Sequence, residues 1–185
     1  MKTRSLLIAI AALFCASGLQ AQNNSNLQYH ASVSLSYAMP SWDGVKAASG
    51  EGLSFGIILK QRHYFEAEVL YLKHNWKDGS TGNLTLIPML ATYRYEIAFA
   101  SDSNWYLQLG GSLGTLAEKY KKKGAQYTTD TNNLRTALGA QAMAVYKLNN
   151  TFSLNAGVRI FQTQIGINDD SGTETLFSLG ARVRF

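Results

Sequence analysis

At 185 residues the chain is the size of one domain, and two prolines and one cysteine exclude a proline-rich disordered protein and a disulfide-stapled one. Its formal charge of +5 is too mild to argue for nucleic acid. At the amino terminus, Lys2 and Arg4 precede the apolar run Leu6 to Phe14, and Ser17-Gly18-Leu19-Gln20-Ala21 offers a small-residue cleavage site after Ala21. That pattern predicts a secretory signal peptide over residues 1–21, since the apolar run is far short of the roughly 20 residues a membrane helix needs. Cys15 falls inside this leader, and Phe14 before it is too large for a lipoprotein signal. The mature chain, residues 22–185, then has no cysteine, and loss of Lys2 and Arg4 takes its charge from +5 to +3. Export argues further against a nucleic-acid partner, and stability must come from something other than disulfides.

The mature chain carries no convincing helical period, but the two-residue period of a strand returns eight times. In the first segment Leu27, Tyr29, Ala31, Val33, Leu35 and Tyr37 alternate with Gln28, His30 and three serines. The second runs from Gly52 to Lys60, with Leu53, Phe55, Ile57 and Leu59 on its apolar face. The third, Tyr64 to Trp76, sets Phe65, Ala67, Val69 and Tyr71 opposite Glu66 and Glu68. The fourth, Leu84 to Ala98, contains Pro88, which cannot donate to a ladder and predicts a local break there. The fifth spans Trp105 to Leu116 and the sixth Leu134 to Tyr146, where Arg135 and Gln141 mark the polar face. The seventh is Phe152 to Gln162 and the eighth Glu174 to Phe185.

The connections alternate in length. Links at Gln61 to His63, Phe99 to Asn104 and Lys147 to Thr151 are short. Those at Ala38 to Glu51, Lys77 to Asn83, Ala117 to Asn133 and Thr163 to Thr173 are longer and rich in Gly, Asn, Asp, Ser and Lys. This is the asymmetry of a transmembrane β-barrel with tight periplasmic turns and longer outer loops. Aromatic residues collect near both ends: Phe65, Tyr93, Tyr95, Trp105, Tyr146, Phe152 and Phe185 on one side, and Tyr37, Phe55, Tyr71, Trp76 and Phe177 on the other. Such girdles mark the two membrane interfaces. The polar face holds Ser, Gly, Gln and mixed charges rather than the many Lys and Glu of a solvated exterior, so it is expected to point inward and the apolar face towards lipid.

The leader, the eight segments and the closing "SLGARVRF" together resemble the small outer-membrane β-barrels of the OmpA, OmpX and opacity-protein type, a porin-like family. "LNAGVRIF" at Leu154 to Phe161 and "LIPMLATYRYEI" at Leu86 to Ile97 are similar to its strand patterns. The resemblance implies an all-β, eight-stranded antiparallel up-and-down barrel in the outer membrane of a Gram-negative cell. It implies that Ser178, Gly180, Val183 and Phe185 form the family's assembly signal, read by the barrel-assembly machinery, although an aromatic is common where Val183 stands.

An eight-stranded barrel is only wide enough inside for side chains to fill it. Inward parity places Glu66, Glu68 and Glu96 with Lys60, Arg94, Arg159, Arg182 and Arg184. Mixed charges in so narrow a space are expected to pair into a plug, because an unpaired buried charge is very costly. Ile58, Leu70, Leu72, Leu86 and Leu90 share that parity and are expected as a small apolar core nearer the outside. A lipid A-modifying enzyme would need Ser and His near a carboxylate. His30, His63 and His74 are the candidates, and none carries the serine signature of such enzymes, so the chain reads as a non-enzyme without cofactor or metal. The run Lys119, Lys121, Lys122 and Lys123, expected in a loop, suits the phosphates of lipopolysaccharide or an acidic surface by charge attraction. Three functions follow: a monomeric structural or surface-interaction barrel with a plugged lumen, a small pore, and a lipid-modifying enzyme.

Overall fold

Successive side chains of a strand point to opposite faces, so a chain whose alternate residues want different solvents folds as strands. The computed structural model describes residues 26–78, 81–101, 103–123, 128–164 and 171–185, and the expected signal peptide lies outside them. Eight strands follow in order: β1 (Leu27–Pro40), β2 (Ala48–Leu59), β3 (His63–His74), β4 (Thr81–Ala98), β5 (Trp105–Lys123), β6 (Thr128–Lys147), β7 (Phe152–Gln164) and β8 (Ser171–Arg184). Each pairs antiparallel with its sequence neighbour, and β8 pairs with β1 to close the barrel. Phe185 continues the closure, exchanging backbone hydrogen bonds with Tyr29 at 2.9 and 3.3 Å.

Closure fixes the tilt. A row of paired residues starting at His30 passes through Gly56, Glu66, Thr92, Ser112, Gly139, Phe161 and Glu174 and returns to β1 at Pro40, ten residues further on. A stagger of that size over eight strands inclines them by about 35–45° to the barrel axis. About ten residues per strand then cross the apolar band, and the strands are longer than that.

The two faces are inverted relative to a soluble protein. Leu35, Leu113, Leu138 and Leu179 point outward and are 58–66% exposed, while Arg182 and Glu66 point inward and are 1% and 5% exposed. Water would not tolerate such an apolar belt, and lipid demands it.

Three connections, at 60–62, 99–104 and 148–151, are short. The first holds Lys60 and Gln61 at φ 50 and 60°, a left-handed turn. At the other end the strands run further than their apolar alternation. The longest expected loop, Ala117 to Asn133, is largely strand, because β5 and β6 stay paired up to Lys123 and Thr128. Its threonines and Tyr120 favour strand, and above the bilayer a ladder needs no apolar face.

Pro88 interrupts its neighbour on one side only. On the β5 side Pro88 pairs with Leu116, whereas on the β3 side pairing stops between Val69–Met89 and Leu72–Leu86. The missing N–H therefore falls on the β3 edge. Of the expected girdle residues, Trp76 turns inward, 7% exposed, bridges to Val45 and donates from Nε1 to the Lys121 carbonyl at 3.0 Å. Phe55 pairs with Ala31 and Ala67 and stacks on Tyr29 at 6.4 Å, which places it towards the periplasmic end instead of the outer one.

Candidate functional site

Inward side chains build the interior in layers. β1 and β2 present small residues there, Ser32, Ser34 and Ser36 from one and Gly50, Gly52, Ser54 and Gly56 from the other. That leaves space for long side chains reaching across from β3, β4, β7 and β8. Gly110 serves the same end on β5: a Cβ there would lie 2.7 Å from Arg94 Cγ and 2.8 Å from Arg94 Cα.

Three carboxylates organise the periplasmic half. Glu66 Oε1 contacts Arg94 Nη2, and Arg182 Nη2 and His30 Nε2 each lie 3.4 Å from it. Glu96 accepts from Tyr64 Oη at 2.7 Å, Gln108 Nε2 at 2.7 Å and Lys147 Nζ at 2.5 Å. Arg184 approaches Glu96 at 3.9 Å and donates to Tyr64 Oη at 3.0 Å. Glu68 accepts from Arg159 Nη2 at 2.6 Å, and Arg159 also donates to Gln141 Oε1 at 2.6 and 3.1 Å. Arg182 donates to Gln108 Oε1 and Ser32 Oγ at 3.3 Å and lies 4.8 Å over the Tyr64 ring. Each carboxylate thus meets at least one cation, which is the condition under which buried charge is tolerated.

Of the residues expected in this network, Glu66, Glu68, Arg94, Glu96, Arg159, Arg182 and Arg184 come together. Lys60 does not: β2 ends at Leu59, and the left-handed turn carries Lys60 out to solvent. Lys147, expected in a turn, takes its place at Glu96 and also lies 3.4 Å over the Tyr106 ring. Its parity with Gln141 along β6 was the available signal. Tyr64 and Gln108 also join the network unforeseen, because neither is charged.

Towards the outside the lumen turns apolar. Leu70, Leu72, Leu84, Leu86, Leu90, Leu116, Phe161 and Leu176 pack with Ala38, Ala48, Ala137, Val45 and Trp76, and Trp42 leans on the cluster. Ile58 lies apart from it, paired with Tyr64 near the periplasmic turn, a correction to its expected place. Above the cluster, His74 Nδ1 meets the Lys46 carbonyl at 2.9 Å. His74 Nε2 lies 2.9 Å from Glu174 Oε1, close as a charge pair but misaligned as a hydrogen bond. Among the described residues no serine hydroxyl hydrogen-bonds to a histidine nitrogen, and no cluster of metal-ligating side chains occurs. Between the charged and apolar layers remains a cavity of about 30 Å³.

On the outer wall, Lys73 and Lys119 flank Thr85 in one paired row, and Lys121 stands beside Asn83 in the row above. Lys73, Lys119 and Lys121 are exposed, and Tyr71 of the aromatic girdle lies two residues below Lys73. The lysine run is therefore strand, not loop. Lys122 and Lys123 lie on β5 with side chains outside the described residues. At the carboxy terminus, Ser178 and Gly180 face inward and Val183 and Phe185 outward. A Cβ on Gly180 would come 2.6 Å from the Val33 carbonyl oxygen and 2.7 Å from Asn155 Oδ1, so packing alone requires this glycine.

A family model for the outer membrane protein beta-barrel domain matches residues 7–185. No curated protein matches the chain. Among solved structures, Neisserial surface protein A is 19% identical with a TM-score of 0.64, covering 86% of this chain and 97% of its own. Ail, the attachment invasion locus protein of Yersinia pestis, is 16% identical with a TM-score of 0.61, covering 86% and 99%. The outer membrane enzyme PagL is 16% identical with a TM-score of 0.55, covering 82% and 98%. At these identities the likeness is one of fold.

Proposed function

The chain belongs to the outer membrane protein beta-barrel domain family and resides in the cell outer membrane, and from that premise we propose that it is a monomeric, solute-tight barrel whose outer wall holds lipopolysaccharide by its phosphates. The observation that carries this reading is the exposed lysine row. Lys73 on β3 and Lys119 and Lys121 on β5 stand on either side of β4, above Tyr71 of the girdle, at the height where headgroup phosphates of the outer leaflet are expected to lie. Basic residues close to an anionic membrane surface contribute about 1 kcal/mol each, and charges outside the bilayer remain sensitive to salt. The expected signal peptide and the assembly motif at Ser178, Gly180, Val183 and Phe185 belong to the same proposal, as the route to this membrane through the barrel-assembly machinery.

The pore reading is disfavoured by the paired charges and the apolar layer that fill the lumen. Against the enzyme reading, no serine hydroxyl hydrogen-bonds to a histidine nitrogen among the described residues. Replacing Lys73, Lys119 and Lys121 together with serine tests the proposal. The variant should fold normally yet retain much less lipopolysaccharide through detergent extraction at low salt, with the difference from wild type shrinking at high salt. Equal retention at low salt would end the phosphate-binding reading.

A further inference from the structure

The cavity between the charged and apolar layers is lined by Ser32, Ser34, Ser36 and Ser54 on one side and by Glu66, Glu68, Arg94, Arg159 and Arg182 on the other. Those five charged residues sum to +1. The second excess, Lys147 and Arg184 over Glu96, lies at the periplasmic rim, where their side chains keep 18% and 12% of their exposure and water screens them. The cavity wall has no such relief, with the Arg94, Arg159 and Arg182 side chains 4%, 8% and 0% exposed.

Titration cannot remove this charge. Arginine does not deprotonate in proteins, and adding a proton to Glu66, Glu68 or the adjoining His30 makes the wall more positive. Two guanidinium donors are also left over: Arg94 Nε and Arg159 Nη1 are buried without a hydrogen-bond partner among the described residues. Buried unpaired donors and net buried charge are each costly, and one ligand would relieve both.

We propose that the lumen binds a single halide-sized monovalent anion, chloride under ordinary conditions, between Arg94 and Arg159 with the serine hydroxyls of β1 and β2 as further donors. The size fits: one water needs roughly 10–15 Å³, so about 30 Å³ leaves room beside it for one monatomic ion somewhat larger than water. The water donates to Glu66 Oε2, the wall's carboxylate oxygen that lacks a donor among the described residues. Polyatomic anions such as gluconate are too large.

The experiment is urea unfolding of the full chain refolded in zwitterionic lipid, in sodium bromide, chloride or gluconate at one ionic strength. Above the site's dissociation constant, each tenfold rise in halide should lower the unfolding equilibrium constant about tenfold, with no such response to gluconate. Ser34→Asp places a carboxylate in the same cavity and should abolish the halide response while the protein still folds. Equal stability in halide and gluconate, or an undiminished halide response in folded Ser34→Asp, would overturn the proposal. Should that variant not fold, anomalous scattering from bromide-grown wild-type crystals decides. A bromide peak within hydrogen-bond reach of Arg94 and Arg159 supports the site, and water alone there refutes it.

Discussion

Glu66 is the residue on which most of the lumen depends, since Arg94, Arg182 and His30 all converge on one of its oxygens. Glu66→Gln keeps the shape and removes the charge, leaving two buried guanidinium groups without their counter-ion. The expected loss is about 3–5 kcal/mol in urea unfolding in lipid, the usual result of removing one partner of a buried pair. Lys60→Ala should change stability by less than about 0.5 kcal/mol in the same assay, as surface substitutions do. The contrast measures what side-chain parity can and cannot read. Parity along β3, β4, β7 and β8 was enough to bring seven charges into the lumen, five of them joined through Glu66, Gln108 and Glu96 and two as the Glu68–Arg159 pair. It failed at Lys60 because parity holds only while the backbone stays extended, and a turn at φ 50° ends it one residue after Leu59. Lys147 is the mirror case, a residue taken for turn that is still strand.

At the scale of elements, β-strand existence was legible because lipid on one face and a packed lumen on the other impose strict alternation. Strand ends were less so. β5 and β6 outrun the membrane, where alternation loses its physical cause, and the polar run beyond Leu116 reads as loop although backbone pairing continues to Lys123. Pro88 was legible as a break, but only the register shows that β3 bears it. Close approach of strands also leaves glycines that alternation cannot explain. Gly110 lies under Arg94, and any Cβ there presses on Tyr93 and Arg94. Gly110→Ala should therefore destabilise the barrel by about 1–3 kcal/mol, the range for overpacking, with the change read from the urea midpoint.

For the whole molecule, eight strands with a ten-residue stagger enclose a space that side chains fill, and the ladder has no free edge. A closed ladder offers no free edge at which to open, so unboiled and boiled samples should migrate differently on a denaturing gel, and a variant whose β1–β8 seam is broken should lose the difference. The closed fold and inverted polarity were legible in sequence. The order of layers along the axis was not, because it depends on how far each strand is staggered against the next. Ile58 and Leu70 share parity yet lie in different layers, because Ile58 pairs with Tyr64 beside the β2–β3 turn and Leu70 stands six residues further along β3. On the proposed reading the layers seal the lumen twice, once by paired charge and once by apolar packing. The most direct test is conductance: purified barrel in a planar bilayer should leave the current at baseline across a range of voltages, and a large, stable single-channel conductance would contradict a sealed lumen.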